Sequence, residues 1–164
     1  MKNTHKLLAI ILAALFLLCG CGDKEPEIDY ESLVVPPVDV NITDCISAEQ
    51  VTTVMGQPMT LLGTFEDGTQ AIYMSEDGLY QTTINLKNEA RTVFDSNAAG
   101  QETTPQEGLG ETAYWSAETG ELVIYANGYA LGVAVMMGDL DVDTTGYARQ
   151  IAEIILQKLQ PTNG

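Results

Sequence analysis

Three dipeptides, Asp67-Gly68, Asp77-Gly78 and Asn127-Gly128, each separate short runs rich in β-branched and aromatic residues. Asp-Gly and Asn-Gly steps supply the positive φ that tight hairpin turns require. Asn127-Gly128 is the strongest such signal, because both central positions of a type I′ turn need that conformation. The spacing predicts strands over 59–65, 69–74 and 79–86, and again over 113–117, 121–127 and 129–137. In the last of these neither face is strongly polar, which predicts a central strand. Its small residues, Ala130, Gly132 and Ala134, leave room for close packing by a helix.

Helical signals lie between and around the strands. Ser47 and Gln50 have the spacing of a capping box ahead of Val51, Val54 and Met55, and Gly56 is a stop, giving a helix over 47–55. A second helix is expected over 89–97 with Asn88 as its cap, and a third over 146–159 with Thr144 or Thr145 near its cap. The Gly, Thr, Glu and Pro-rich stretch 98–112 reads as a long, mobile connection. The fold class is α+β: one antiparallel sheet of about six strands, or two small ones, packed with three helices as loosely duplicated meander-plus-helix units. A β-barrel or immunoglobulin-like sandwich is the alternative, and three helical segments weigh against it.

The N-terminus carries an address. Basic residues in 1–6 precede twelve apolar residues at 7–18, too few to cross a bilayer as a helix but fitting for a signal peptide. Leu18-Cys19-Gly20-Cys21 resembles a bacterial lipobox, with Leu18 three positions and small Gly20 one position before Cys21. Cys21 is the expected lipidation site, carrying a diacylglyceryl thioether and, in some bacteria, an acylated amine. Two acyl chains such as palmitate suffice for stable anchoring. Residues 1–20 are then the leader, 21–44 a lipidated, acidic, Pro-containing tether, and 45–164 a single domain. Leu33-Val34-Val35 leaves open whether part of the tether lies on the domain. The expected location is the extracytoplasmic face of the cell membrane.

Composition narrows function further. The chain has 164 residues, seven basic and 23 acidic, and a formal charge of −16. Loss of the leader removes Lys2 and Lys6, which leaves five basic residues and −18. Nucleic acid is excluded as a partner, because phosphate binding needs concentrated Lys and Arg. The one histidine, His5, lies in the leader, so the mature chain has no Ser-His-Asp or Cys-His catalysis and no histidine metal site. Carboxylate pairs at Glu66-Asp67 and Glu76-Asp77 stand in turns, where hydration keeps their pKa values together.

Three weaker constellations remain. Cys45 is expected as a small buried hydrophobe, with a reactive thiol near a helix N-terminus as the alternative. Asp139, Asp141 and Asp143 alternate and could attract a hard cation. The calcium-loop pattern fails, however, because Thr144 stands where its glycine belongs and Gln150 where its glutamate belongs. Tyr114, Trp115, Tyr125 and Tyr129 are candidates for a ligand-binding groove with the 98–112 loop, or else ordinary sheet packing. Adjacent Tyr114 and Trp115 must face opposite ways on a strand.

Cys45-Ile46, the helix ending Val54-Met55-Gly56, Tyr73-Met74-Ser75, the run from Gly108 to Trp115, and the helix from Ala148 to Leu159 resemble a family of Gram-positive lipoproteins. That family has a helix-sheet-helix domain akin to the photosystem PsbP protein. The resemblance implies a surface-held binding or scaffolding domain for lipid or another envelope protein, and brings no catalytic residues or cofactor. The family's second cysteine, which often pairs with the first, has no counterpart here. The expected function is a non-catalytic envelope lipoprotein that binds a protein partner or a small hydrophobic ligand. The alternatives are a carboxylate- or Cys45-dependent envelope enzyme and a purely structural assembly factor.

Overall fold

Ser47 starts the first long helix as expected. Its hydroxyl accepts from the Gln50 amide at 3.3 Å and the Gln50 side chain accepts from the Ser47 amide at 3.0 Å, a complete capping box. The computed structural model describes residues 40–139 and 142–159. The expected leader (1–20), Cys21, residues 21–39 of the expected tether and Asp141 lie outside the described residues.

Among the described residues four α-helices and seven strands follow one another as α1 (Ile42–Cys45), α2 (Ala48–Met55), β1 (Thr60–Phe65), β2 (Gln70–Met74), β3 (Gln81–Asn88), α3 (Arg91–Ala99), β4 (Thr103–Pro105), β5 (Thr112–Ser116), β6 (Glu121–Ala126), β7 (Tyr129–Met136) and α4 (Thr145–Lys158). The strands form one antiparallel sheet in the order β1-β2-β3-β7-β6-β5-β4. Two meanders, β1 to β3 and β4 to β7, are joined where β7 returns to pair with β3. The fold is therefore the expected α+β class with one more strand and one more helix. Among the described residues no helix is long and apolar enough to cross a membrane.

The additional elements have local causes. Asn41 caps α1, its side-chain oxygen accepting from the Thr43 amide at 3.0 Å, and Ile42 is fully buried. The core therefore begins upstream of Cys45. β4 pairs with β5 inside the 98–112 connection, and Pro105 is tolerated because an edge strand can spare an N–H. Further along, Leu109 is buried and the Arg149 guanidinium donates to the Glu107 carbonyl at 2.9 Å, which pins this stretch to α4. α3 starts two residues later than expected because Asn88 is consumed by the β3 ladder opposite Tyr129, leaving Ala90 as a cap without a side-chain bond.

Turn chemistry follows the dipeptides. Asn127 and Gly128 have φ of 52° and 81°, as a type I′ turn demands. Ser75 and the Leu79 amide both donate to Asp77, closing the β2–β3 turn.

The two faces of the sheet are unequal. One face, carrying Ala71, Tyr73, Ile84, Leu122, Leu131 and Val133, packs with α1, α2 and α4 into the main core. β7 is central, but α4 covers its large residues and not the small ones. The expectation that the 146–159 helix packs on the small residues is corrected: bulky Leu131, Val133 and Val135 offer α4 more apolar area to bury. On the opposite face Ala130 meets α3, and Gly132 serves a different purpose described below.

Candidate functional site

α3 covers the second face at one end only. Phe94 is buried with its ring centroid 5.4 Å from Tyr114 and 5.3 Å from Tyr125, both in tilted geometry. The Arg91 guanidinium lies 5.4 Å over the Tyr125 ring. This small aromatic cluster anchors α3 above β5, β6 and β7. Among the described residues no other helix packs on this face.

The four aromatic candidates therefore do not share one groove. Tyr114 and Tyr125 are buried beneath α3, whereas Trp115 and Tyr129 are half-buried at the margin of the main core on the other face. Burial pushes the Tyr114 hydroxyl above the ordinary phenol range, with the charges of Glu121 and Glu89 adding to the effect.

Beside the aromatic cluster lies a cleft of about 430 Å³, bounded by the Asn97–Gln101 end of α3, by β2, β3, β6 and β7, and by Glu66 of the β1–β2 turn. Its floor is a ladder of polar side chains across the strands. The Gln70 amide donates to Asn85 at 2.6 Å, and Asn85 donates to Glu121 at 3.4 Å. Glu121 reaches Asn85 over the bare backbone of Gly132, where a Cβ would stand 2.0 Å from the carboxylate oxygen. At the rim Lys87 pairs with Glu89 at 2.7 Å, and Asn97 donates to the same carboxylate at 3.4 Å.

Beyond the cleft the face is half open and mixed, its apolar residues interleaved with Gln81 and Thr83 of β3. Ile72, Met74 and Met136 share it, since Met74 pairs with Gln81 and Gln81 with Met136. Met136 is 61% exposed, and Phe65, on the same face of β1, is 46% exposed.

The remaining candidates are placed as follows. Cys45 is a buried free thiol whose pKa is pushed up by burial, then by the Asp44 charge, with Lys158 opposing. Asp143 accepts from the Thr145 amide at 3.0 Å at the start of α4, and hydrogen bonds from the Thr145 hydroxyl and amide hold it below the usual carboxylate range. Asp139 is exposed. Among the described residues no group of three His, Cys, Asp or Glu side chains is placed to hold a metal ion. Gln70, Asn85 and Glu121 escaped sequence reasoning, which had Glu66 only as a turn carboxylate and Gly132 only as a small residue for helix packing. The signal of those three was present only as polar residues recurring at alternate strand positions.

The described residues thus form a seven-stranded antiparallel sheet with one face packed by three helices and the other covered by α3 at one end. Comparison with protein families, curated proteins and solved structures finds no match for the chain.

Proposed function

We propose that the chain is a non-catalytic cell-envelope lipoprotein, anchored through Cys21 at the extracytoplasmic face of the membrane, whose domain binds a protein partner. The observation that carries the binding reading is the half-open sheet face. Exposed Met136 and Phe65 and half-buried Ile72 and Met74, interleaved with Gln81 and Thr83, present apolar surface that no described helix covers. Exposed apolar patches on a strongly acidic protein mark interaction surfaces. Carboxylates and amides stand among the apolar groups lining the adjoining cleft, which favours a protein over a small hydrophobic ligand. The resemblance of the Gly108–Trp115 run and the 148–159 helix to the PsbP-like lipoproteins supports this role.

Burial of Cys45 argues against thiol catalysis, because the thiolate is the nucleophile and a buried apolar site disfavours it. The anchor rests on the lipobox at Leu18 to Cys21 and the tether on the acidic segment after it.

Crosslinking on intact cells, followed by native mass spectrometry of the lipidated protein, tests both parts. The expected result is a diacylated Cys21 and a discrete crosslinked partner that is lost in Met136→Lys. An unmodified Cys21 in the membrane fraction overturns the anchor. A crosslinking pattern unchanged by Met136→Lys and by Ile72→Lys overturns the docking face.

A further inference from the structure

β1 is an edge of the sheet, and it lacks the devices that keep edge strands from pairing. The far edge has them: β4 is three residues long and contains Pro105. β1 is six residues long, with no proline and no charge. An edge strand turns the N–H and C=O groups of alternate residues away from its neighbour, and among the described residues no strand pairs with β1 on that outer side. Three of its side chains are large, apolar and exposed: Leu61 at 42%, Leu62 at 61% and Phe65 at 46%. Leu62 is the extra residue of an irregularity in the ladder, since Leu61 lies opposite Tyr73 and Gly63 opposite Ile72. A bulge can blunt an edge, but this one sets out a leucine where a protective one would set out a charge.

We propose that β1 is a strand-addition site whose occupant is an extended segment of another polypeptide, apolar at alternate positions and carrying Lys or Arg at its ends. The outer backbone groups of β1 dictate an extended partner, because only a strand matches their spacing, and Leu61, Leu62 and Phe65 supply the apolar contacts. This names the kind of partner and rests on the protein-docking reading, since Phe65 belongs both to the edge and to the half-open face.

Charge decides between another chain and a second copy of this one. Acidic pairs bracket β1: Glu66-Asp67 follow it, and Glu76-Asp77 stand in the β2–β3 turn at its other end, just beyond Met74, the partner of Thr60. All four carboxylates are exposed, and none forms an ion pair with a described cation. In a symmetric antiparallel pair of β1 strands, the Glu66-Asp67 turn of each copy would approach the end of the other that carries Glu76-Asp77. Like charges facing each other across strands are destabilising, and each copy brings a further net charge of −16. A strand with basic ends meets carboxylates at both ends instead.

The test is titration of the purified full chain, in non-ionic detergent, with a synthetic peptide of alternating valine and threonine matched to β1 in length and ending in a lysine on each side. Hydrogen exchange of the β1 amides locates the binding. The expected result is saturable binding with Kd of about 100 µM or tighter, slowed exchange within Thr60–Phe65, and a severalfold loss of affinity as salt rises from about 20 to about 200 mM. Leu62→Lys puts a like charge on the edge and should weaken binding about tenfold or more. Met136→Lys, which acts on the docking face, should leave it within about twofold. Absence of saturable binding up to about 1 mM overturns the proposal. So does equal binding by Leu62→Lys, by a peptide N-methylated at alternate amides, or by a peptide ending in glutamates. A concentration-dependent dimer in sedimentation that is lost in Leu62→Lys makes a second copy the occupant and overturns it as well. Circular dichroism confirms that Leu62→Lys folds; if it does not, the N-methylated peptide decides. The docking face falls separately, on crosslinks that Met136→Lys and Ile72→Lys leave unchanged.

Discussion

Thr82 and Tyr73 face each other across β2 and β3 on the core side of the sheet, and their hydroxyls have opposite fates. The Tyr73 hydroxyl donates to the Ile46 carbonyl at 2.8 Å, and both residues are shielded from water. The Thr82 hydroxyl is fully buried and has no hydrogen-bond partner. A buried hydroxyl without a partner costs about 1–3 kcal/mol of desolvation. Thr82→Val replaces it with a methyl of the same shape and keeps a β-branched residue in the strand. The expected gain is about 1 kcal/mol, or about 4 °C in Tm for a domain of this size. Tyr73→Phe leaves the Ile46 carbonyl unpaired, with no solvent to replace the donor, and should cost about 1.5 kcal/mol. Equilibrium urea unfolding, followed by the fluorescence of Trp115, the sole tryptophan, measures both. A loss of about 1 kcal/mol or more in Thr82→Val would show that its hydroxyl does have a partner, such as a buried water, and would refute the reasoning.

Gly110 has φ of 56° and its added Cβ would stand 2.5 Å from the Tyr125 carbonyl and 2.8 Å from Ile124, so Gly110→Ala should cost about 3 kcal/mol through backbone strain plus overpacking; a loss below about 1 kcal/mol in urea unfolding would contradict this close approach. Ser47→Ala removes one half of the capping box and should cost about 1 kcal/mol, whereas Ser47→Asp should retain most of it. Stability should fall on the alkaline side. Burial raises the folded-state pKa of Cys45, Tyr73 and Tyr114, so the folded state holds their protons longer than the unfolded chain does. Their contribution is complete below the ordinary thiol value of about 8.5 and is lost as pH climbs through the thiol and then the tyrosine range, near 10. A urea midpoint that stays flat to about pH 10.5 would contradict it.

Much of the fold was legible because its signals are local. The capping box at Ser47 and Gln50 involves residues three apart, and the Asn127-Gly128 turn needs only its own dihedral angles. β4 was missed because Thr103–Pro105 is too short to show a period and contains a proline. The start of α3 was misplaced because Asn88 has the chemistry of a cap, yet its backbone is claimed by β7, a strand much later in the chain. Likewise the large and small residues of β7 were separable by alternation, but nothing local said which side α4 would choose.

The sequence by itself determined the α+β class, the antiparallel meanders, a single cysteine after Cys21 and the lack of a histidine after His5. Turns, caps and alternation act over a few residues, so those features need no knowledge of distant partners. Only the tertiary structure decided which polar residues meet. Asn85 and Glu121 are 36 residues apart and touch only because β7 inserts between β3 and β6 and presents Gly132 at their crossing point. Register across three strands is a non-local quantity, set by the burial of the opposite face, where Ile84, Val133 and Leu122 must align in the core.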